Sequence, residues 1–411
     1  MLVTIQELNR YFIDVWQGCE SKLPDLGPRY TPQTQSHNEK RLLQFLEQAD
    51  QAFSHPPRNR EEARESQIRL GTAFRSLAQE ALGFTAEQLD PLPSQAFSNA
   101  SEEFVRMARE FDPKLSAEDI YQAGRNAWTA NGLQWLMSVP VQISPSIFAY
   151  SLLYPYTDNY LDDPTITLEN KRVFNERFRR RLAGESFWPL NIQERIIFDL
   201  IAMIEDQYSR ADHPAVFESL LAIHHAQSQS LKLLRSAAQE VDVLGLSFEK
   251  GGTSVLADGY LVSGSLDETQ RQYTYGHGVL AQLLDDMEDI ELDHQDGRLT
   301  LYSQGAGHGS LDALANRTFH FGQKVLMGLD FFDIEEPVRE LIRRGANLLV
   351  LDAISRMKDH YTAAYLHELE AYSPFRFAFL KAQRVDFLRR HGSMARMMET
   401  ALTFPGIPSH V

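Results

Sequence analysis

The sequence predicts an all-α protein on three observations. Apolar residues recur at helical spacing in nearly every segment. No convincing run alternates apolar and polar residues as a half-buried strand does. Helix-opening signals are spread along the chain: Ser144-Pro145, Asn191 to Glu194, Asp212-His213-Pro214 and Ser265 to Glu268.

From the N-terminus, Asn38 to Phe53 places Leu42, Leu43, Phe45 and Leu46 on one helical face, His55 to Arg58 breaks it, and Glu61 to Leu82 resumes. Leu89 to Asn99 reads as a loop; helix returns over Phe104 to Phe111 and Ala117 to Trp135. Ser144-Pro145 opens a helix that is almost wholly apolar and aromatic until Thr157, then turns acidic as TDNYLDD. Pro155 predicts a kink or local break and Pro164 a stop. Asp158 and Asp162 share one helical face at i and i+4, and Asn159 with Asp163 form a second such pair.

Basic residues follow at Lys171, Arg172, Arg177, Arg179, Arg180 and Arg181, and they read either as a solvated helix face or as an anion clamp. His224 and His225 are adjacent on a helix and diverge by about 100°, so they read as structural or polar-lining rather than as a metal pair. Phe248 to Asp258 interrupts helical pattern, with Gly251-Gly252 behind Lys250 allowing a kink and close backbone approach. Lys250 is placed to contact a phosphate, but a Walker P-loop pattern is absent.

Ser265 to Glu268 then opens the helix that ends in DDMEDIELDHQD, where seven carboxylates fall between Asp285 and Asp296 with no basic residue at i+4 to balance them. On a helix Asp285, Asp286, Asp289 and Asp293 fall within an arc of about 100°. Such a face needs hydration or cations, and oxygen-only ligands suit a hard ion such as Mg²⁺. A calcium loop does not fit: counted from Asp289, the sixth position is His294 and the twelfth is Thr300. Helices over about Asn316 to Asp330, Glu336 to His367 and Phe375 to Arg390 complete the chain, and the tail from about 396 to 411 reads as loose.

The 411 residues, 43% of them hydrophobic, suffice for a large core, and the net charge of −16 argues against a general nucleic-acid or anionic-membrane binder. Cys19 is the only cysteine, so an intrachain disulfide is excluded, and a cytoplasmic location is the simplest expectation. No apolar run approaches the ~20 residues of a spanning helix, and the N-terminus lacks a signal-peptide pattern. The expected organisation is a helical N-terminal region over 1–115 packed on a main α domain over 116–395, followed by the 396–411 tail.

QLLDDMEDIELDHQDGRLTL resembles the second aspartate-rich region of all-trans polyprenyl diphosphate synthases. DNYLDD resembles their first motif but departs from DDxxD, and its spacing is closer to squalene and phytoene synthases and the bacterial large-terpene synthases. The resemblance, which covers about 145 to 300, is to the class I isoprenoid (terpenoid) synthase superfamily. It implies a helical bundle around a central apolar pocket and a cluster of three Mg²⁺ ions as cofactor. Catalytic and metal-binding roles then pass to Asp158, Asp162, Asp285 and Asp289, with Asp163, Asp286 and Asp293 as further metal ligands. Arg172, Lys250 and Arg298 become diphosphate contacts, and Phe148, Tyr150 and Tyr154 become pocket-lining aromatics. The expected reaction is ionisation of a prenyl diphosphate to a carbocation. A prenyltransferase joining two units, or a silent helical binding protein, stays open. A homodimer also stays open.

Overall fold

The computed structural model describes residues 2–54, 60–163, 165–234, 241–391, 393 and 395. Helices account for the architecture, and among the described residues there is no strand. In order they are α1 (Leu2–Gln17), α2 (Pro32–Ser54), α3 (Arg60–Glu80), α4 (Ala86–Leu89), α5 (Ser94–Phe111) and α6 (Ala117–Leu136). Next come α7 (Pro145–Asp162), α8 (Leu168–Leu182), α9 (Ile192–Gln207), α10 (Pro214–Ser230), α11 (Val243–Ser263) and α12 (Glu268–Glu288). The last are α13 (Ile290–Asp296), α14 (Leu301–Ala306), α15 (Asp312–Leu326), α16 (Glu336–Arg356), α17 (Ala363–Glu370) and α18 (Phe377–His391). No helix among the described residues is long and apolar enough to cross a membrane.

The helices gather into two compact units. The first takes α1, Gln95–His308 and His320–Asp333; the second takes Ser21–Ser94, Gly309–Phe319 and the described residues from Ile334 on.

In the first unit α11 is buried on nearly all sides and packs most extensively on α12. The expected interruption at Phe248 to Asp258 is corrected here: α11 runs unbroken through it. The glycines act between helices instead. A Cβ on Gly278 would stand 2.2 Å from the Gly251 carbonyl oxygen, and one on Gly252 would stand 2.4 Å from the Tyr275 ring. Only glycine permits backbones to approach so closely, and that gain outweighs the ~1 kcal/mol helix cost of each. Around this seam Trp16 meets Phe248 and Phe321 edge-on, those two rings lie tilted at 41° to each other, and Phe12 stacks on Tyr275 at 5.8 Å.

Local signals set the ends. Ser144 Oγ accepts from Ile147 N at 3.3 Å beside Pro145, and Asn191 caps α9 through Glu194 N at 2.8 Å. The box at α12 is Asp267 with Gln270, not Ser265 with Glu268. The long helix expected to His367 breaks after Arg356, because Thr362 starts a new one by capping Tyr365 N. The predicted loop at Leu89 to Asn99 shortens, since α5 begins at Ser94. The break expected at His55 to Arg58 and the loose tail lie outside the described residues.

The second unit has its own cores: Leu77, Ala81 and Phe375 in one, Ala78, Phe84 and Leu89 in another. Asn38 donates to the carbonyls of Ala81 and Pro374 at 2.9 and 3.0 Å, tying α2 to two distant segments.

Candidate functional site

Six helices of the first unit, α6, α7, α8, α10, α11 and α12, wall a cavity of about 280 Å³. Leu153, Phe178, Leu182, Leu220, Ile223 and Val255 give it an apolar body. Arg125, Lys250, Gln282 and Asp285 bring charge and hydrogen-bonding groups to it.

Of the two acidic helix ends, the second brings Asp285 to the cavity wall, and the first reaches it through Tyr154, a lining residue next to Asp158. Pro155 does not end α7, which continues to Asp162. Tyr154 therefore keeps helical phase with Asp158 one turn on and hydrogen-bonds to it. Burial first, then Asp158, then Asp285 push the Tyr154 phenol up, while Arg298 pulls it down, so all four groups are electrostatic neighbours. On the other side Asp285 pairs with Arg125 at 3.1 Å.

Helical hydrogen bonding carries the acid register onward, with Asp289 N bonded to Asp285 O at 3.0 Å and Asp293 N to Asp289 O at 2.7 Å, although α12 closes at Glu288 and α13 opens after Asp289. Asp286 is turned inward, 3% exposed, with Gln282 donating to its Oδ1 at 2.8 Å and its Oδ2 left without a partner. Burial pushes its carboxyl up to about 7, against the Gln282 hydrogen bond. Burial likewise holds Asp293 up at about 6, opposed by Arg298 at 3.5 Å, and raises Asp289, with Asp285 adding repulsion. Lys250 acts on both Asp286 and Asp293 as a lowering charge.

These carboxylates suit Mg²⁺ in their chemistry. Asp286 Oδ2 is an orphan buried acceptor, and Asp286, Asp289 and Asp293 are charged only at a cost that a cation would offset. Among the described residues no three His, Cys, Asp or Glu side chains converge closely enough to hold a metal by themselves. Mg²⁺ does not require that: it commonly takes one or two carboxylates, with waters and phosphate oxygens completing the octahedron.

Several expected site residues stand elsewhere. Phe148 does not line the cavity; its ring packs edge-on between Phe104 and Phe111 at 5.7 and 5.8 Å. Arg172 lies in a separate surface hollow along α8 and α10. Four others of the basic run pair with acids: Arg177 forks onto Glu194 at 2.7 and 2.9 Å, Arg179 pairs with Glu176, Arg180 with Glu185 and Arg181 with Glu205. Asp163 turns to Thr165, accepting from its amide and hydroxyl at 2.8 and 2.7 Å. The Asp162 side chain lies outside the described residues. His224 lies 2.9 Å from the Asn175 amide oxygen and edge-on to Phe178, and it also lines the cavity, so both readings of it, structural and polar-lining, apply. Tyr150 and Tyr154 both line the cavity.

Sequence reasoning missed Arg125 and Asp258. Arg125 carries no local signal, because its partner is 160 positions away. Asp258 did carry one: an acid inside the apolar stretch VLADGYLV.

Comparison with known proteins finds no matching family model, no matching curated protein and no matching solved structure.

Proposed function

We propose that this protein is a Mg²⁺-dependent class I isoprenoid synthase. Its first unit would be a terpenoid synthase-like bundle around the cavity, ionising a prenyl diphosphate to a carbocation and releasing a terpene and diphosphate. One observation supports the reading above the others: Tyr154, hydrogen-bonded to Asp158 of the first acidic motif, shares its surroundings with Asp285 and Arg298 of the second, beside an apolar cavity.

In this reading Asp158, Asp162, Asp285 and Asp289 hold Mg²⁺, with Asp286 and Asp293 behind them. Bound Mg²⁺ supplies the positive charge that stabilises a departing diphosphate. Lys250 and Arg298 contact the diphosphate oxygens, and Arg125 adds a third cation near them. The allylic C–O bond breaks with its electron pair leaving on the diphosphate, and the carbocation stays among apolar walls. Leu153, Ile223 and Val255 exclude water there, while the Tyr150 and Tyr154 rings offer faces to the positive charge. Loss of a proton or capture of water then completes the product.

The test is incubation of the full chain with Mg²⁺ and prenyl diphosphates of graded length, with and without isopentenyl diphosphate. Hydrocarbon or alcohol from one diphosphate alone is the expected result. Longer diphosphates formed only with isopentenyl diphosphate would shift the reading to chain elongation. No turnover of any substrate would reduce the site to a binding module.

A further inference from the structure

Asp258 is a fully buried acid of the cavity wall that the reaction just described does not use. It lies on α11, eight residues and therefore about 12 Å of helix rise beyond Lys250. It lines the cavity while being 0% exposed. Asn126 Nδ2 donates to its Oδ1 at 3.0 Å and also lies 3.1 Å from Ser151 Oγ, which fixes the amide. Asp258 Oδ2 is buried without a hydrogen-bond partner. Tyr150 does not supply one, because its hydroxyl donates to the Ser254 carbonyl at 3.2 Å. An unpaired carboxyl oxygen in an apolar wall is costly, and apolar packing alone gives no reason to keep it.

We propose that Asp258, held by Asn126, is a binding point for a hydroxyl group carried on the hydrocarbon part of the ligand, so that this cavity takes a molecule polar at both ends of an apolar body. A hydroxyl suits the position because it both donates and accepts, and so pairs with the carboxyl in either protonation state. Burial favours the neutral acid, with the Asn126 hydrogen bond opposing it, and a neutral Asp258 can itself donate from Oδ2 while Oδ1 accepts from Asn126. The hydroxyl can belong to the ligand or to a water trapped against it, and these two sources give different results below. The proposal rests on the diphosphate reading only for the group bound near Lys250.

The experiment is calorimetric binding to the full chain with Mg²⁺, using alkyl diphosphates of graded length and their ω-hydroxylated counterparts. Alkan-1-ols and α,ω-diols of the same lengths serve as neutral probes, read by thermal shift. At one length the wild type should bind the hydroxylated member at least as tightly as its counterpart, and Asp258→Leu should move that ratio by about tenfold toward the plain chain. Asp258→Asn, which keeps shape and hydrogen bonding, should retain the preference. If the plain chain wins at every length in the wild type, only a water serves Oδ2 and the proposal is overturned; this arm needs no variant. If no diphosphate binds but the diols still outperform the alkanols, the diphosphate reading fails and the Asp258 site stands.

Discussion

At Asp285 the carboxylate is half exposed and paired with Arg125, whereas Asp286 one position on is sealed from water. Adjacent residues on a helix point about 100° apart, so one acid faces the cavity and the next faces the packing seam. Tyr154 also differs from a core residue: it is 37% exposed, facing the cavity above Asp158. Tyr154→Ala should therefore lengthen the accepted substrate or product by one isoprenoid unit at a stability cost of about 1–2 kcal/mol, below that of a fully buried aromatic. Product chain length and urea melts check both parts; an unchanged length profile in a folded, active variant would move the limiting wall to Tyr150. His224 makes a pH prediction. Burial pushes its imidazole down to about 4, against about 6.5 in an unfolded chain. Between those values the unfolded chain binds more protons, so this contribution is complete above pH 6.5 and is lost as pH falls toward 4. Melts across that range should show a smaller acid loss in His224→Gln than in the wild type, by an amount on the order of 2–3 kcal/mol. Equal acid losses in the two proteins would mean His224 is not held neutral.

At the scale of the helix, the α11–α12 seam decides where Lys250 and the acids stand. Gly278→Ala should cost about 1–3 kcal/mol or more, because its Cβ meets the Gly251 backbone rather than a movable side chain. Gly345→Ala in α16, with nothing within 4 Å of the new Cβ, should instead stabilise by up to about 1 kcal/mol. Thermal melts of the pair check it; equal shifts would mean the seam is not tight. Lys250→Ala, on the same helix, should weaken inhibition by inorganic pyrophosphate as well as turnover, and intact pyrophosphate inhibition would make Lys250 a bystander. This seam also marks what the sequence could and could not convey. The apolar-to-acid switches that end α7 and α12 were legible, since a buried face passing into clustered carboxylates follows from periodicity alone. The continuity of α11 was not, because glycine propensity argues for a break and only the partner helix rewards it. Arg172 was assigned through the resemblance alone, which carries no information on which neighbour its helix face meets, and it lies in a separate hollow along α8 and α10.

Across the whole molecule, the segments that build each unit come from distant parts of the chain. Residues 2–20 join the same unit as the cavity helices, while Asn38 and Glu39 of α2 reach Pro374 and Arg376 in the other. No composition shift marks those crossings, so the all-helical class was legible and the grouping of helices was not. The acid excess reads differently at this scale as well. A net charge of −16 looks like repulsion spread over a surface, yet part of its densest run has cations close by: Arg125 pairs with Asp285, and Arg298 and Lys250 lower Asp293.

The central claim is that both acidic helix ends serve one Mg²⁺–diphosphate site, and release of inorganic diphosphate from a single prenyl diphosphate tests it most directly. The wild type should release diphosphate with Mg²⁺, stop with EDTA and recover when Mg²⁺ is restored. Asp158→Asn and Asp285→Asn should each cut release by about a hundredfold or more while leaving the melting temperature nearly unchanged, since both act on partly exposed carboxylates. Loss of release in one variant with near-wild-type release in the other, at saturating Mg²⁺, would contradict a shared site.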